Sequence, residues 1–256
     1  LPDYAKVSTR FAGLRKGLRI SNASFSCPSC HKEGTIDNRL VDFSELTPTL
    51  PLDLNKKIKK LTEEAGILMK DVPVDWRAKN SLNIIKSITN CGVCLEIGGA
   101  DGPMTPSLEK HFDMTLSLDY SKGFLKRIED KTERTICLFG DAHFLPLNDD
   151  VIDIVICTEV LEHATIPTQL LTEIRRVTKE NGIIFLTVPN ETSSKFFKRT
   201  LSNLPALDTH INFFTPDTIS KLLFRVGLEI LDIKTILPPI ESIKTLLNNI
   251  LLYLTN

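Results

Sequence analysis

The stretch Thr158-Glu-Val-Leu-Glu-His163 concentrates groups that can do chemistry. On a turn or a helix start, positions i, i+3 and i+4 face one way, so Glu159, Glu162 and His163 project into one volume. His210 lies in Asp208-Thr-His-Ile-Asn-Phe-Phe-Thr-Pro216, a loop able to return to the same place. Two Glu and two His offer oxygen and nitrogen donors that suit Mg²⁺, Mn²⁺ or Zn²⁺. An ion held there lowers the pKa of a bound hydroxyl. Without an ion, His163 or His210 is a candidate general base, with Glu159 the third catalytic candidate. The remaining alternative is that these side chains only shape a loop.

A second set of acids sits at the ends of short apolar runs. Glu96 lies in Val93–Ile97, Asp119 follows Met114–Leu118, and Asp141 follows Thr135–Phe139. The first run leads straight into Gly98-Gly-Ala-Asp-Gly102 and then into a segment, Thr105–His111, that can be helical. Strand, glycine turn and helix are the start of a βαβ nucleotide-binding unit. The G-x-G-x-x-G spacing of a dinucleotide site is absent. Asp119 falls about twenty residues beyond the turn, where a carboxylate can accept hydrogen bonds from both hydroxyls of a ribose. Its alternative role is to cap a helix over Ser121–Asp130.

These side chains need a sheet whose strands end on one edge. Ile152–Cys157 reads as a fourth strand, ending at Thr158, and Ile166–Thr178 as a helix with Leu170, Leu171, Ile174 and Val177 inward. Gly182–Val188 is a fifth strand. Thr215-Pro216-Asp217 starts a helix that runs to Val226 and is ended by Gly227. Leu228–Ile236 is a sixth strand. In an open α/β sheet, ligands gather at the carboxyl ends of the strands.

Glu96-x-Gly98-x-Ala100-x-Gly102 resembles the first motif of class I S-adenosylmethionine-dependent methyltransferases, with alanine at the middle glycine. The order of elements and motifs over 91–236 is similar to that family throughout. The resemblance implies an α/β, Rossmann-like sheet flanked by helices, with a mainly helical N-terminal extension. It implies S-adenosylmethionine as cofactor, held by Glu96, Gly98, Gly99, Ala100, Asp101, Gly102, Asp119, Tyr120, Asp141, Ala142, His143 and Thr158. In that family an acid at the position of Asp141 binds the adenine amino group, and the next residue's backbone contacts the ring. Glu159-x-x-Glu162-His163 with His210 resembles the metal set of small-RNA 2′-O-methyltransferases and of the O-methyltransferases of ubiquinone synthesis. The implied activity is methyl transfer to oxygen on a small molecule, glycan or lipid-linked precursor. Two alternatives are a metal-dependent RNA 2′-O-methyltransferase and a non-catalytic partner subunit that keeps the fold. The sulfonium already activates the methyl group, so the protein must align the acceptor and exclude water.

Composition narrows the partners. The chain has 256 residues, 25% charged and 42% hydrophobic, with a formal net charge of −1. Nothing in that overall balance argues for a polyanionic partner, and a local basic patch stays open. No apolar run reaches the roughly 18 residues of a membrane span, and the first residues lack the apolar core of a signal peptide. Six scattered cysteines point to reduced thiols and a cytoplasmic setting. The start without Met suggests a fragment or a processed chain.

Residues 1–90 are expected to form a cap or extension, 91–236 the cofactor-binding domain, and 237–256 an amphipathic C-terminal segment. In the cap, Arg10, Arg15, Lys16 and Arg19 form a basic segment, either a solvated face or a phosphate contact. Cys27-Pro-Ser-Cys30-His31 resembles half of a zinc knuckle, but such a site needs about four ligands. The other C-x-x-C, Cys91–Cys94, runs into the first strand. Asp53–Met69 and Asn80–Thr89 have helical spacing. Trp76 is either core or a substrate-stacking ring. Ile240, Ile243, Leu246, Leu247, Ile250, Leu251 and Leu254 also recur at helical spacing, which suits a docked helix, a dimer element or a peripheral membrane helix. The seventh, antiparallel strand usual in this family has one candidate, Leu251–Leu254.

Overall fold

Val93–Ile97 and Ile152–Thr158 are apolar on both sides, and such strands are stable only between two layers of helices. The structure, a computed structural model, describes residues 19–21, 24–26, 33–37, 39–44, 75–88, 91–191, 210–236 and 249–255. The described strands are β1 (Arg19–Ser21), β2 (Ser24–Ser26), β3 (Glu33–Asp37), β4 (Leu40–Asp42), β5 (Val93–Ile97) and β6 (Met114–Asp119). They continue as β7 (Ile136–Phe139), β8 (Ile152–Thr158), β9 (Thr178–Pro189), β10 (Glu229–Ile236) and β11 (Asn249–Thr255). The described helices are α1 (Asp75–Ile88), α2 (Thr105–His111), α3 (Lys122–Lys131), α4 (Pro167–Val177) and α5 (Pro216–Arg225), with a single 3-10 turn at Leu161–His163.

All described strands join one sheet, in the order β1-β2-β3-β4-β7-β6-β5-β8-β9-β11-β10. Strands β5 to β9 are mutually parallel, so Ile97, Asp119, Phe139 and Thr158 finish on one edge. The period of two along each strand divides the core. On one face Leu95, Ile97, Leu118, Val155, Ile184 and Leu186 pack with Leu170, Leu171 and Ile174 of α4 and Ile219 and Leu223 of α5. On the other, Cys94, Ile154, Ile156 and Phe185 meet Ala78 and Ile85 of α1 and Leu108 of α2. Glu96 pairs in register with Ser117, and Ser117 with Cys137, so the acidic side chain of β5 belongs to this second face. Helix α5 begins as expected: Thr215 and Thr218 form a reciprocal cap and Pro216 takes the first position.

Three expectations change. Residues 251–254 belong to β11, which runs antiparallel between β9 and β10, so the family's seventh strand is present and helical spacing does not extend over 249–255. An unbroken apolar run satisfies strand and helix templates equally, which is why Ile250–Leu254 misled. The helix expected over 80–89 starts at Asp75, and β9 starts at Thr178, directly after α4. The described residues of the N-terminal extension hold both kinds of element: 19–44 supplies four strands that lengthen the sheet, β4 lying parallel on β7, and 75–88 is helical. The side chains of Arg19 and Trp76, residues Arg10, Arg15, Lys16, Cys27, Cys30 and His31, the helix at 53–69 and the segment 237–248 lie outside the described residues. Cys94 is buried in β5 and Cys91 exposed before it, so this pair does not form a zinc half-site.

Arg39 fastens β4 to α3 and the loop before β7. Its guanidinium donates to the carbonyls of Glu129, Thr132 and Thr135 and to Thr132 Oγ1, and its backbone N–H donates to Glu129 Oε1. Removing it leaves several partly buried acceptors unpaired. Arg39→Ala is expected to lower stability by roughly 2 kcal/mol and to accelerate amide exchange at Leu40–Asp42 before exchange in β8 or β9. Unchanged exchange at β4 would show that the extension is not held through this residue.

Candidate functional site

Strand order reverses at β5: β6 and β7 lie on one side of it, β8 and β9 on the other. Connections leaving β5 and β8 therefore diverge and open a crevice at their carboxyl ends. Both sequence constellations meet there. The Gly98 backbone is at φ +69°, and a Cβ on it would fall 2.4 Å from Val160 Cγ2, in the loop after β8. A Cβ on Gly99 would lie 2.6 Å from Ser117 Oγ and 2.8 Å from Glu96 Oε2. Only glycine lets the turn close over that carboxylate. Ala100 takes φ 47°, at a cost of about 1 kcal/mol for a residue with a side chain. Its N–H donates to Asp119 Oδ2 at 3.3 Å.

Glu96 is buried; its Oε2 accepts from Thr105 Oγ1 at 2.6 Å and Ser117 Oγ at 3.2 Å, while Oε1 has no partner among the described residues. Burial pushes its pKa up to about 7, against the two hydroxyl bonds, and the nearby Asp119 charge adds to the rise. Asp119 is also buried and is pushed up to about 7 by burial, partly offset by the N–H groups of Ser121 and Ala100. It does not cap α3: Ser121 does, accepting from Phe124 N, and Asp119 Oδ1 instead receives the Ser121 N–H at 2.8 Å. Gly140 N–H donates to the Asp119 carbonyl, which brings the loop of Asp141 beside the end of β6.

Asp141 Oδ1 receives the His143 N–H at 2.9 Å and lies 2.6 Å from His143 Nδ1. Ala142 and the His143 ring are buried, Tyr120 and Thr158 half-buried. Asp101 points away: its exposed carboxylate lies 3.4 Å from Lys131 Nζ.

The second constellation divides. Ligand atoms of Glu162, His163 and His210 lie within 4.8 Å of one another. The two imidazoles meet edge to face, with centroids 4.9 Å apart, and His163 Nε2 is 3.9 Å from Glu162 Oε1. Glu162 is 1% exposed, and neither carboxylate oxygen has a hydrogen-bond partner among the described residues. Burial first and the Glu159 charge second drive its pKa well above the carboxylate range, with Arg77 opposing. Glu159 does not join this group. At φ 55° its side chain turns away, with Oε1 accepting from Thr187 Oγ1 at 2.9 Å and Oε2 from Arg77 Nη1 at 3.1 Å. His210 is carried in by its own loop: Ile211 and Asn212 N–H donate to the Glu162 carbonyl, and Asn212 Nδ2 donates to the Ala164 carbonyl at 2.6 Å. Arg77, Thr187 and Asn212 were not singled out in the sequence, because each acts through a partner distant along the chain.

Comparison with known proteins agrees with this geometry. Residues 95–186 match the family model described as a methyltransferase domain. This segment is similar to the methyltransferase domains that this model describes. An uncharacterized protein of Methanocaldococcus jannaschii is 40% identical over 87 residues, covering 34% of this chain and 36% of that one. The malonyl-[acyl-carrier protein] O-methyltransferase of Geobacter sulfurreducens is 26% identical over 144 residues, covering 52% and 54%. A crystal structure of a SAM-dependent methyltransferase from Aquifex aeolicus shares the fold with TM-score 0.53 and 15% identity, covering 78% of this chain and 96% of that one. The chain thus spans between a third and a little over half of the curated relatives' length.

The methyltransferase carboxylates impose a stability cost with a definite sign. Glu96 and Asp119 titrate at about 7 when folded and at about 4 when unfolded. The folded state therefore holds the extra protons between those values, and these two groups oppose folding increasingly as pH rises from about 4 to about 7. Glu96→Gln and Asp119→Asn are expected to raise stability at pH 8 by roughly 1–3 kcal/mol each and to flatten the pH dependence between 5 and 8. Urea titrations at several pH values check this; a loss of stability at pH 8 in both variants would contradict it.

Proposed function

We propose that the chain is an S-adenosylmethionine-dependent methyltransferase acting on oxygen, with Glu162, His163 and His210 gripping the acceptor through a divalent cation. The carrying observation is Glu162: a buried carboxylate with both oxygens unsatisfied among the described residues, beside two imidazoles. Such a group is held at a loss unless a cation completes it. A two-His, one-carboxylate set fits a divalent ion and leaves coordination positions open. The ion would supply Lewis-acid lowering of the acceptor hydroxyl's pKa.

The cofactor supplies an activated methyl group. The residues of the crevice fit its adenosyl part. Asp119 offers a carboxylate for ribose hydroxyls, Asp141 keeps an oxygen for the adenine amino group, and the Gly98–Gly102 turn leaves room for backbone contact. Val160 against Gly98 sets the acceptor loop directly beside that turn. Arg77 and Thr187 fix Glu159, and through it the loop after β8, without contacting the reacting atoms.

The acceptor reading remains a small molecule, glycan or lipid-linked precursor. Ile166, Ile211 and Phe213 stand exposed on the segments that carry the cluster. Apolar side chains in the open there favour an acceptor with an apolar portion. The Geobacter relative's printed name also concerns an oxygen acceptor. The net charge of −1 does not favour RNA.

Two measurements test this reading. S-adenosylhomocysteine should bind the wild type in calorimetry, and Asp119→Ala should weaken it by about 10- to 100-fold, since hydrogen bonds to a charged group are lost. Absence of binding to the wild type would end the cofactor assignment. Mn²⁺ should bind the wild type and be lost in Glu162→Gln. Arg77→Met, which removes a positive charge that acts on Glu162, should tighten Mn²⁺. If Glu162→Gln binds Mn²⁺ as well as the wild type, the cluster is not a metal site.

A further inference from the structure

We propose that His143 is a positioning residue that ties the adenine end of the crevice to the turn carrying Glu162 and His163; this rests on the reading of Asp141 as the partner of adenine. The ring is 7% exposed and bridges two loops. Nδ1 lies 2.6 Å from Asp141 Oδ1, in the loop after β7. Nε2 lies 3.3 Å from Ile166 N and 3.4 Å from Thr165 Oγ1, in the loop after β8. A backbone N–H can only donate, so Nε2 accepts from Ile166 and the ring proton sits on Nδ1, where it donates to Asp141.

Each end of this bridge does specific work. At one end, Asp141 Oδ1 receives two donors from the same residue, the His143 N–H and Nδ1–H, which fixes the carboxylate plane and leaves Oδ2 for a ligand. At the other, Ile166 is the N-cap of α4, its side chain caps nothing, and Pro167 follows with no N–H to give. The His143 ring is therefore the acceptor that anchors the start of α4. Gln169 Nε2 adds a second tie, donating to the His143 carbonyl at 3.2 Å.

Only Ala164 and Thr165 separate His163 from Ile166. The far side of that turn is gripped by Asn212 Nδ2 on the Ala164 carbonyl. Leu161–Ile166 thus hangs between Asn212 and His143. A change at Asp141 reaches the reactive turn through one rigid ring, not through a flexible side chain.

Two substitutions separate the ends. His143→Asn places an amide N–H near the position of Nδ1 and lacks the Nε2 acceptor. His143→Gln reaches Ile166 N with its amide oxygen and lacks the donor to Asp141. The readouts are S-adenosylhomocysteine affinity by calorimetry and the ¹⁵N signals of the His163 ring in free and bound protein. The Gln variant should bind S-adenosylhomocysteine about tenfold more weakly, as for one lost hydrogen bond, and keep the free His163 signal of the wild type. The Asn variant should hold affinity within about threefold, shift the free His163 signal, and lose that signal's response to ligand. Equal effects of both variants on both readouts, or no effect of either while the wild type binds, overturn the bridge. Failure of the wild type to bind overturns the adenine reading and the coupling together, a result distinct from both.

Discussion

Carboxylates buried at or just beyond the carboxyl ends of the strands are the constraint on which the rest of this structure depends. Glu96, Asp119 and Glu162 are each at most 5% exposed, and burial is the largest influence on the protonation of all three. Left in apolar surroundings, each charge would cost several kcal/mol. The fold answers with fixed neutral donors for two of them: Thr105 and Ser117 hydroxyls for Glu96, Ser121 and Ala100 N–H for Asp119. Glu162 receives no such donor among the described residues. That difference separates two carboxylates that the fold itself satisfies in part from one that it leaves without a donor among the described residues.

Holding such groups requires a scaffold that does not yield. Thr115, Ser117 and Asp119 alternate with Leu116 and Leu118 along β6, so one strand delivers polar side chains to one face and core to the other. On the neighbouring strands Glu96 of β5 interrupts otherwise apolar faces, and helices cover both sides of the sheet. The opposing layers keep the carboxyl edge in place while its loops carry chemistry. The β1–β4 extension lengthens the same sheet from β7, and Arg39 fastens it to the end of α3 and the loop before β7. The strand that ends at Asp141 is therefore an interior strand, stiffer than an edge would be.

Much of this was legible along the chain where a local rule decides the outcome. Thr215-Pro216 starts a helix because both residues act within one turn, and Gly98-Gly-Ala-Asp-Gly102 reads as a phosphate- or adenosyl-type turn because strand and helix flank it directly. The carboxyl ends of β6 and β7 could be placed from the acids Asp119 and Asp141 that close or closely follow them. The rest depended on partners far away in sequence. Arg77 meets Glu159 across 82 residues, and His143 meets Ile166 across 23. No periodicity marks either pair. β11 failed for another reason: a run of consecutive apolar residues carries no period, and only its insertion between β9 and β10 decides its form.

Glu159 and Glu162 show how one backbone angle overrules a sound spacing argument. Three residues apart on a helical turn, they should share a face with His163. Only Leu161–His163 is helical, and Glu159 precedes it at φ 55°. A left-handed residue reverses the local path, so its side chain leaves the face its successors occupy. Glu159 is sent toward β9 and α1, where a hydroxyl and a guanidinium receive it. Glu162 is sent inward, where no described donor does. Two identical side chains thereby acquire opposite electrostatic roles. One is a neutralised pin for the loop; the other is an unsatisfied acceptor whose charge, lying close by, Glu159 makes still harder to hold. The left-handed turn converts a symmetric pair of acids into one that is paired and one that is unsatisfied among the described residues, and it keeps Arg77 close enough to act on both.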